Sequence, residues 1–314
     1  MKHGRVDRSR LRTYPIRERT HKVHIEHLGA LPKDGTVAAL IDSMPHLLGA
    51  DALRGFVAAV VAAHAKGKPV LFAIGGHVVK CGCTPYLIEL MRRGVITGVA
   101  MNGSTAIHDF ELAMIGQTSE DVAATLENGT FGMVEETGRL MNEAIGHGAA
   151  QGLGAGRALG EAIIKADLPH RDVSVLAAGI ELDLPVTVHI AIGTDTIHQH
   201  PKADGAALGE ASFKDFELLA GLVAELGDGG VYANVGSAAL LPEVFLKALT
   251  IARNLGHPVR NFTAANFDMI RHYRPATNVV GRPVLAGGEG YDFAGHHEIM
   301  IPLVAAAILA RLKK

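Results

Sequence analysis

VLFAIGGHVVKCGCTPYLIELMRRGVITGVAMNGSTAIHD, residues 70–109, decides the fold. It contains two short apolar runs, VLFAI (70–74) and TGVAM (97–101), each ending in glycine and small polar residues, with a stretch of helical length, 84–93, between them. An apolar run without alternation suits a strand buried on both faces, and a helical crossover is what parallel neighbours require. The rhythm continues outward. Further strands are expected at VTVHIAI (186–192), VYANV (231–235) and VRNFTA (259–264), and helices at 51–66, 119–127, 133–147, 212–226, 242–254 and 297–311. Alternation of this kind defines the α/β class: a Rossmann-like parallel sheet with helices on both faces.

The chain has 314 residues, 48% hydrophobic and 20% charged, enough to bury a large core. Residues 31–314 are expected to form a single α/β domain. Residues 1–30, Arg-rich at their start, are expected to form an extension docked on the body or on a neighbouring subunit. Lys+Arg 30 against Asp+Glu 32 leaves a net charge of -2, with no global pull toward nucleic acid or anionic lipid. A small molecule is the expected partner. The run Ile299 to Ala310 contains Pro302 and is too short to span a bilayer, and the N-terminus has no signal-peptide core. Cys81 and Cys83 are the only cysteines, which fits a reducing, cytoplasmic setting and leaves packing as their simplest role. HGAAQGLGAGRALG (147–160) reads as a linker or as a tight helix–helix connection.

Unusual residues gather after the strands: Gly75-Gly76-His77, Asn102-Gly103-Ser104 with His108-Asp109, Gly193-Thr194-Asp195 with His198 and His200, Gly236-Ser237, and the segment from Thr263 to Asp268. In open α/β sheets ligands collect at the carboxyl ends of strands. Glycines there let backbone N–H groups approach phosphate, and a carboxylate accepts ribose hydroxyls, so a dinucleotide is a sensible occupant. GLGAGRALG (152–160) imitates a dinucleotide fingerprint, but its spacing is G-x-G-x-x-x-G and it follows a helical stretch, not a strand. Thr118 to Asp121 reads as a helix start. The histidines are chemically apt for a metal, although no HExxH or similar spacing organises them. They suit hydrogen bonding or acid–base work in the pocket better, as neutral imidazoles with a pKa near neutrality.

Taken in order, these segments resemble deoxyhypusine synthase, an enzyme that uses NAD to move an aminobutyl group from spermidine to a protein lysine. In residues 70–109 the family shows the same strand, glycine loop, helix, strand and acidic end, with Gly82 and Asp109 on its recurring positions. PVTVHIAIGTDT (185–196), GDGGVYANVG (227–236), FTAANFD (262–268) and HEIMIPLVAAAI (297–308) resemble its later segments. The resemblance implies NAD at the strand ends and a homotetramer with active sites between paired subunits, where the N-terminal segment covers a neighbour's site. It places Gly76, His77, Asn102, Gly103, Asp195, Gly229, Gly230, Thr263 and Ala264 around the cofactor.

One departure matters most. The family's imine-forming lysine follows an Arg-Pro-like segment; here Arg274-Pro275 is followed by ATNVVGRP, no lysine occurs between Lys247 and Lys313, and the chain has no Trp. An imine needs that amine, so the expectation is not a deoxyhypusine synthase. It is an NAD-dependent enzyme acting on a small amine or alcohol, with Asp195, His198, Asp268 and His297 as acid–base or substrate groups. Two alternatives stand beside it: a metal-dependent hydrolase using His198, His200, His296 and His297, and a non-catalytic NAD-binding or scaffold homologue.

Overall fold

The structure is a computed structural model and describes residues 4–312, which group into two compact units, 4–51 and 52–312. The first unit has three single 3-10 turns, Arg8–Arg10, Ile16–Glu18 and Ile25–His27, and then α1, Val37–Ser43. Thr36 opens α1 by accepting the Ala39 N–H at 3.1 Å, a standard N-cap. Leu11, Ile16, Ile25 and Leu31 along this arm are exposed.

From α2 (Leu48–Ala65) the chain enters β1 (Val70–Ile74), α3 (Gly76–Lys80), α4 (Thr84–Arg92), β2 (Gly98–Asn102) and α5 (Gly103–Ile115). Then come α6 (Val122–Leu126), α7 (Glu135–Ala150), α8 (Ala155–Lys165), α9 (Val175–Glu181), β3 (Val186–His189) and α10 (Gly205–Ala224). The second half holds β4 (Val231–Val235), α11 (Leu240–Asn254), β5 (Thr263–Asp268), α12 (Tyr273–Asn278), β6 (Glu289–Ala294) and α13 (His297–Leu309). The six strands are all parallel, in the order β3-β2-β1-β4-β5-β6. The chain therefore begins at the centre, winds out to β3, returns to β4 beside β1 and winds out the other way. The reversal lies between β1 and β4.

Apolar layers cover both faces of the sheet. On one, Tyr232 of β4 stacks on Phe245 of α11 with ring centroids 3.7 Å apart, beside Leu71, Leu249 and Phe262. On the other, Phe56 of α2 meets Phe267 of β5 and Phe293 of β6 edge-on at 5.2 and 6.1 Å. Each fully buried aromatic or aliphatic side chain of this kind contributes about 1.5–3 kcal/mol. By length and composition α2 is apolar enough to cross a membrane, yet Leu53, Phe56, Val57, Val60 and Ala63 are buried inside the protein.

Three differences from the sequence reading have local causes. Asn261 holds a left-handed φ of 53°, which ends any strand through VRNF, so β5 starts only at Thr263. EGYDFA, the edge strand β6, carries no apolar run because only Phe293 in it is buried. The helices α5, α8 and α9 were hidden by their small residues, which close packing demands. A Cβ on Gly156 would stand 1.9 Å from the Val186 carbonyl, and one on Gly160 would stand 2.7 Å from that of Leu176. Residues 147–160 are thus the end of α7, a tight turn and the start of α8, not a linker.

Two fully buried carboxylates fasten these helices. Asp109 of α5 accepts the Ser174 hydroxyl at 2.5 Å and the Val175 and Leu176 N–H groups at 2.8 and 3.1 Å, capping α9 from another element. Asp215 of α10 accepts the Gly156 N–H at 2.8 Å and the Val188 N–H at 2.7 Å, capping α8 and satisfying β3. Burial pushes Asp215 up to about 7 against the opposing pull of those bonds. A carboxylate thus fills the start of α8 where a phosphate would have to sit, and GLGAGRALG is a packing motif. Asp215→Ala would strand these buried donors. It is expected to cost about 3 kcal/mol, read as a lower urea midpoint by circular dichroism with an unchanged slope; an unchanged midpoint would remove Asp215 from the scaffold.

Candidate functional site

Because every strand runs the same way, the loops after β1 to β6 share one edge. At the reversal the loops after β1 and β4 touch. The Gly75 N–H donates to the Val235 carbonyl at 2.8 Å, and a Cβ on Gly75 would fall 1.9 Å from the Gly236 carbonyl oxygen. Gly236 itself has φ +69°, and an added Cβ there would meet His297 Nε2 at 2.9 Å. The two loops can lie this close only because both positions are glycine.

Two imidazoles stand at this crevice, His77 on α3 and His297 at the start of α13, with ring centroids 5.7 Å apart. His297 is 1% exposed and its Nδ1 has no hydrogen-bond partner among the described residues. Burial, helped by the neighbouring His77 and opposed by Asp268, holds His297 below the usual histidine range, so it stands as a neutral ring. Asp268, at the end of β5, accepts the following Met269 N–H at 2.8 Å and lies 4.0 Å from His272. Beneath runs a polar ladder along the strand ends. Asn234 Nδ2 donates to Asn266 Oδ1 at 2.8 Å, and Asn266 Nδ2 to Asp292 Oδ1 at 2.8 Å, while Asn234 Oδ1 is buried without a partner among the described residues.

The β2 and β3 loops form the other half of the site. Asn102 Oδ1 accepts from the Thr105 N–H at 2.9 Å and from the Thr105 and Ser104 hydroxyls at 2.6 and 3.0 Å, fixing the start of α5. A Cβ on Gly103 would fall 1.9 Å from Asp195 Oδ2, so this glycine admits the carboxylate. Burial raises Asp195 to about 6. His198 Nδ1 accepts the Gly193 and Asp195 N–H groups at 3.1 and 3.2 Å, which places the ring proton on Nε2, 3.8 Å from Asp195 Oδ2. Beside them opens a cavity of about 840 Å³, with Lys80, Ser104, His108, Glu111, Thr118 and Asp195 in its wall. A cavity of this size suits a small molecule.

The sequence-predicted residues divide. Gly76, His77, Asn102, Gly103, Asp195, His198, Asp268 and His297 all stand at the carboxyl edge. Gly229 and Gly230 precede β4, and Thr263 and Ala264 begin β5, so these four lie at the opposite, amino edge and away from the crevice. The Gly229 N–H bonds to the Asn261 carbonyl at 2.9 Å there, making an ordinary turn between strands. The loop glycine that meets the site is Gly236. The four histidines considered as metal ligands do not assemble: His200 pairs with Glu135 at 3.0 Å, His296 is exposed beside Glu298 at 3.7 Å, and the described residues contain no group of three or more ligands. Cys83 is buried, its thiol pushed up to about 11 chiefly by desolvation, and donates weakly to the His297 carbonyl at 3.6 Å.

No protein-family model matches the sequence, and no curated protein matches it. Solved structures do. AgrE in its ternary complex with ornithine and NAD+ aligns with a TM-score of 0.54 at 13% identity, over 82% of this chain and 32% of its own. A conserved LOR/SDH protein of Methanococcus maripaludis S2 gives 0.51 at 13% identity, over 83% and 69%. A protein of Entamoeba histolytica assigned to deoxyhypusine synthase gives 0.52 at 9% identity, over 88% and 94%. The chain spans about a third of the length of AgrE. Identities this low establish the fold alone, and it is the deoxyhypusine synthase-like α/β fold.

The glycine contact is directly testable. Gly75→Ala drives a methyl group into the Gly236 carbonyl, and relieving it must part the two loops. An overpacking cost of about 3 kcal/mol is expected in urea unfolding, and full stability with Ala at this position would contradict the described approach.

Proposed function

We propose that the protein is an NAD-dependent enzyme that acts on a small amine or alcohol by hydride transfer, without a covalent lysine intermediate. The observation that carries this reading is the meeting of Gly75 and Gly236 at the β1/β4 reversal, where dinucleotides bind in sheets of this strand order. Backbone unobstructed by Cβ atoms fits a pyrophosphate, and the unpaired, buried His297 Nδ1 offers a further polar atom at the same crevice. AgrE, of like fold, was solved with ornithine and NAD+.

Under this reading Gly75, Gly76, His77 and Gly236 hold the cofactor, and Asn102 and Gly103 border it on the β2 side. A nicotinamide bound there supplies a hydride acceptor. Asp195 accepts hydroxyl hydrogen bonds, and His297, Asp268 and His198 bind or move protons on the substrate. Lys247 lies exposed on α11 in an ion pair with Glu243 and is no nucleophile of this site. The same proposal includes a homotetramer, for which the exposed Ile270, Tyr273 and Ile299 near the carboxyl edge offer apolar surface. It also includes a cytoplasmic setting, which the two free thiols suit.

Titration calorimetry with NAD tests the reading. Hydroxyl donors favour ionised Asp195, whose free carboxyl titrates at about 6. Affinity is therefore expected to rise as pH rises, by about tenfold from pH 5 to 7, and Asp195→Asn should bind more weakly with a flat profile. No heat and no rise in melting temperature with NAD would refute the proposal. Light scattering should give a mass of four chains of 33.0 kDa; a monomer would refute the assembly.

A further inference from the structure

Helix α5 aims Ser104, His108 and Glu111 at the cavity, spaced four and three residues apart and so on one helical face. His108 Nδ1 lies 2.7 Å from the Thr118 hydroxyl, and that hydroxyl lies 2.5 Å from Glu111 Oε2. A carboxylate only accepts, and a threonine has one hydroxyl proton to give. Thr118 therefore donates to Glu111, and its oxygen accepts from His108 Nδ1–H. The second carboxylate oxygen, Oε1, accepts the Thr137 hydroxyl from α7 at 2.9 Å, so Glu111 is held at both ends. The proton order is set from carboxylate to hydroxyl to imidazole, and it leaves Nε2 with a lone pair. Nε2 is bonded to Cδ2, and a Cβ on Gly76 would stand 3.2 Å from that Cδ2, so this ring edge borders the β1 glycine loop.

We infer that His108 is the proton acceptor of this cavity, held as the Nδ1–H tautomer by a Glu111–Thr118 relay. A nucleophile- or base-activating imidazole is commonly oriented by a third group in this way. Of the relay's residues His108 is the catalytic one, and Thr118, Glu111 and Thr137 are positioning residues. The substrate it requires is a small molecule with an ionisable O–H or N–H on the carbon to be oxidised. For an alcohol, His108 Nε2 would take the O–H proton, and a nicotinamide held by the Gly75–His77 and Gly236 loops would supply the acceptor for the C–H hydride as the C=O bond forms. That step rests on the proposed NAD reading; the relay does not. Burial, reinforced by Lys80 across the cavity and opposed by Glu111, lowers the His108 pKa and keeps Nε2 free near neutrality. The other charged groups of the wall are Glu120, Glu136 and Asp195.

The test is ring-nitrogen NMR on the full chain, labelled with 15N-histidine and free of ligand, with the His108 signals assigned by their loss in His108→Gln. The wild type should show protonated Nδ1 and bare Nε2. In Thr118→Val the two nitrogens should exchange character or average, and Thr118→Ser should restore the wild-type pattern. Wild-type His108 protonated on Nε2, or a pattern indifferent to Thr118→Val with native circular dichroism, would overturn the inference. Failure of NAD to bind while the Nδ1–H pattern holds would sink the hydride step and leave the relay standing, so the two failures are separable.

Discussion

The close approach of Gly75 to the Gly236 carbonyl is the constraint on which the rest of the site depends. It exists because β1 and β4 pair directly while the chain leaves them for opposite flanks of the sheet. A side chain at Gly75 would push the two loops apart and move His77 with the β1 loop, and one at Gly236 would press on His297 at the start of α13. A parallel sheet sends all its loops to one edge; the glycine pair makes that edge a crevice.

The buried charges divide by task. Asp109 and Asp215 each take two or more backbone N–H groups, Asp109 at the start of α9 and Asp215 at the start of α8 and in β3. Asp195 stands raised by desolvation at the wall of the cavity. A buried carboxyl short of donors gains most from a ligand that brings them. The strand-end ladder from Asn234 through Asn266 to Asp292 fixes the floor of the site, and its one unpaired oxygen, on Asn234, points to where a polar group would be welcome.

Much of this was legible in the sequence, and the misreadings are instructive. The apolar runs of β1, β2 and β4 gave the sheet, and the glycines and histidines following them lie at its carboxyl edge. FTAANFD was recognised as a segment but placed one strand-length off, because nothing in the letters shows that Asn261 takes a left-handed conformation and delays β5. Thr263 and Ala264 consequently lie at the amino edge, where Gly229 and Gly230 also stand, ahead of β4. His108 and Asp109 are neighbours in sequence and stand together after the second strand. On a helix, adjacent residues point apart, so Asp109 is buried under α9 while His108 faces the cavity. The spacing Ser104, His108, Glu111 was visible, but the helix that gives it meaning was hidden by its Gly-Ser-Thr start. Thr118, ten residues on in a loop, has no sequence signal linking it to His108.

The most direct measurement is a structure of the protein with NAD bound. Density for the dinucleotide between the Gly75–His77 loop and the Gly236 loop, with a ribose hydroxyl on Asp195, is the expected result. Density instead in the basic hollow at the amino edge, where Arg253, His257 and Arg260 line a cavity of about 420 Å³, would contradict the site.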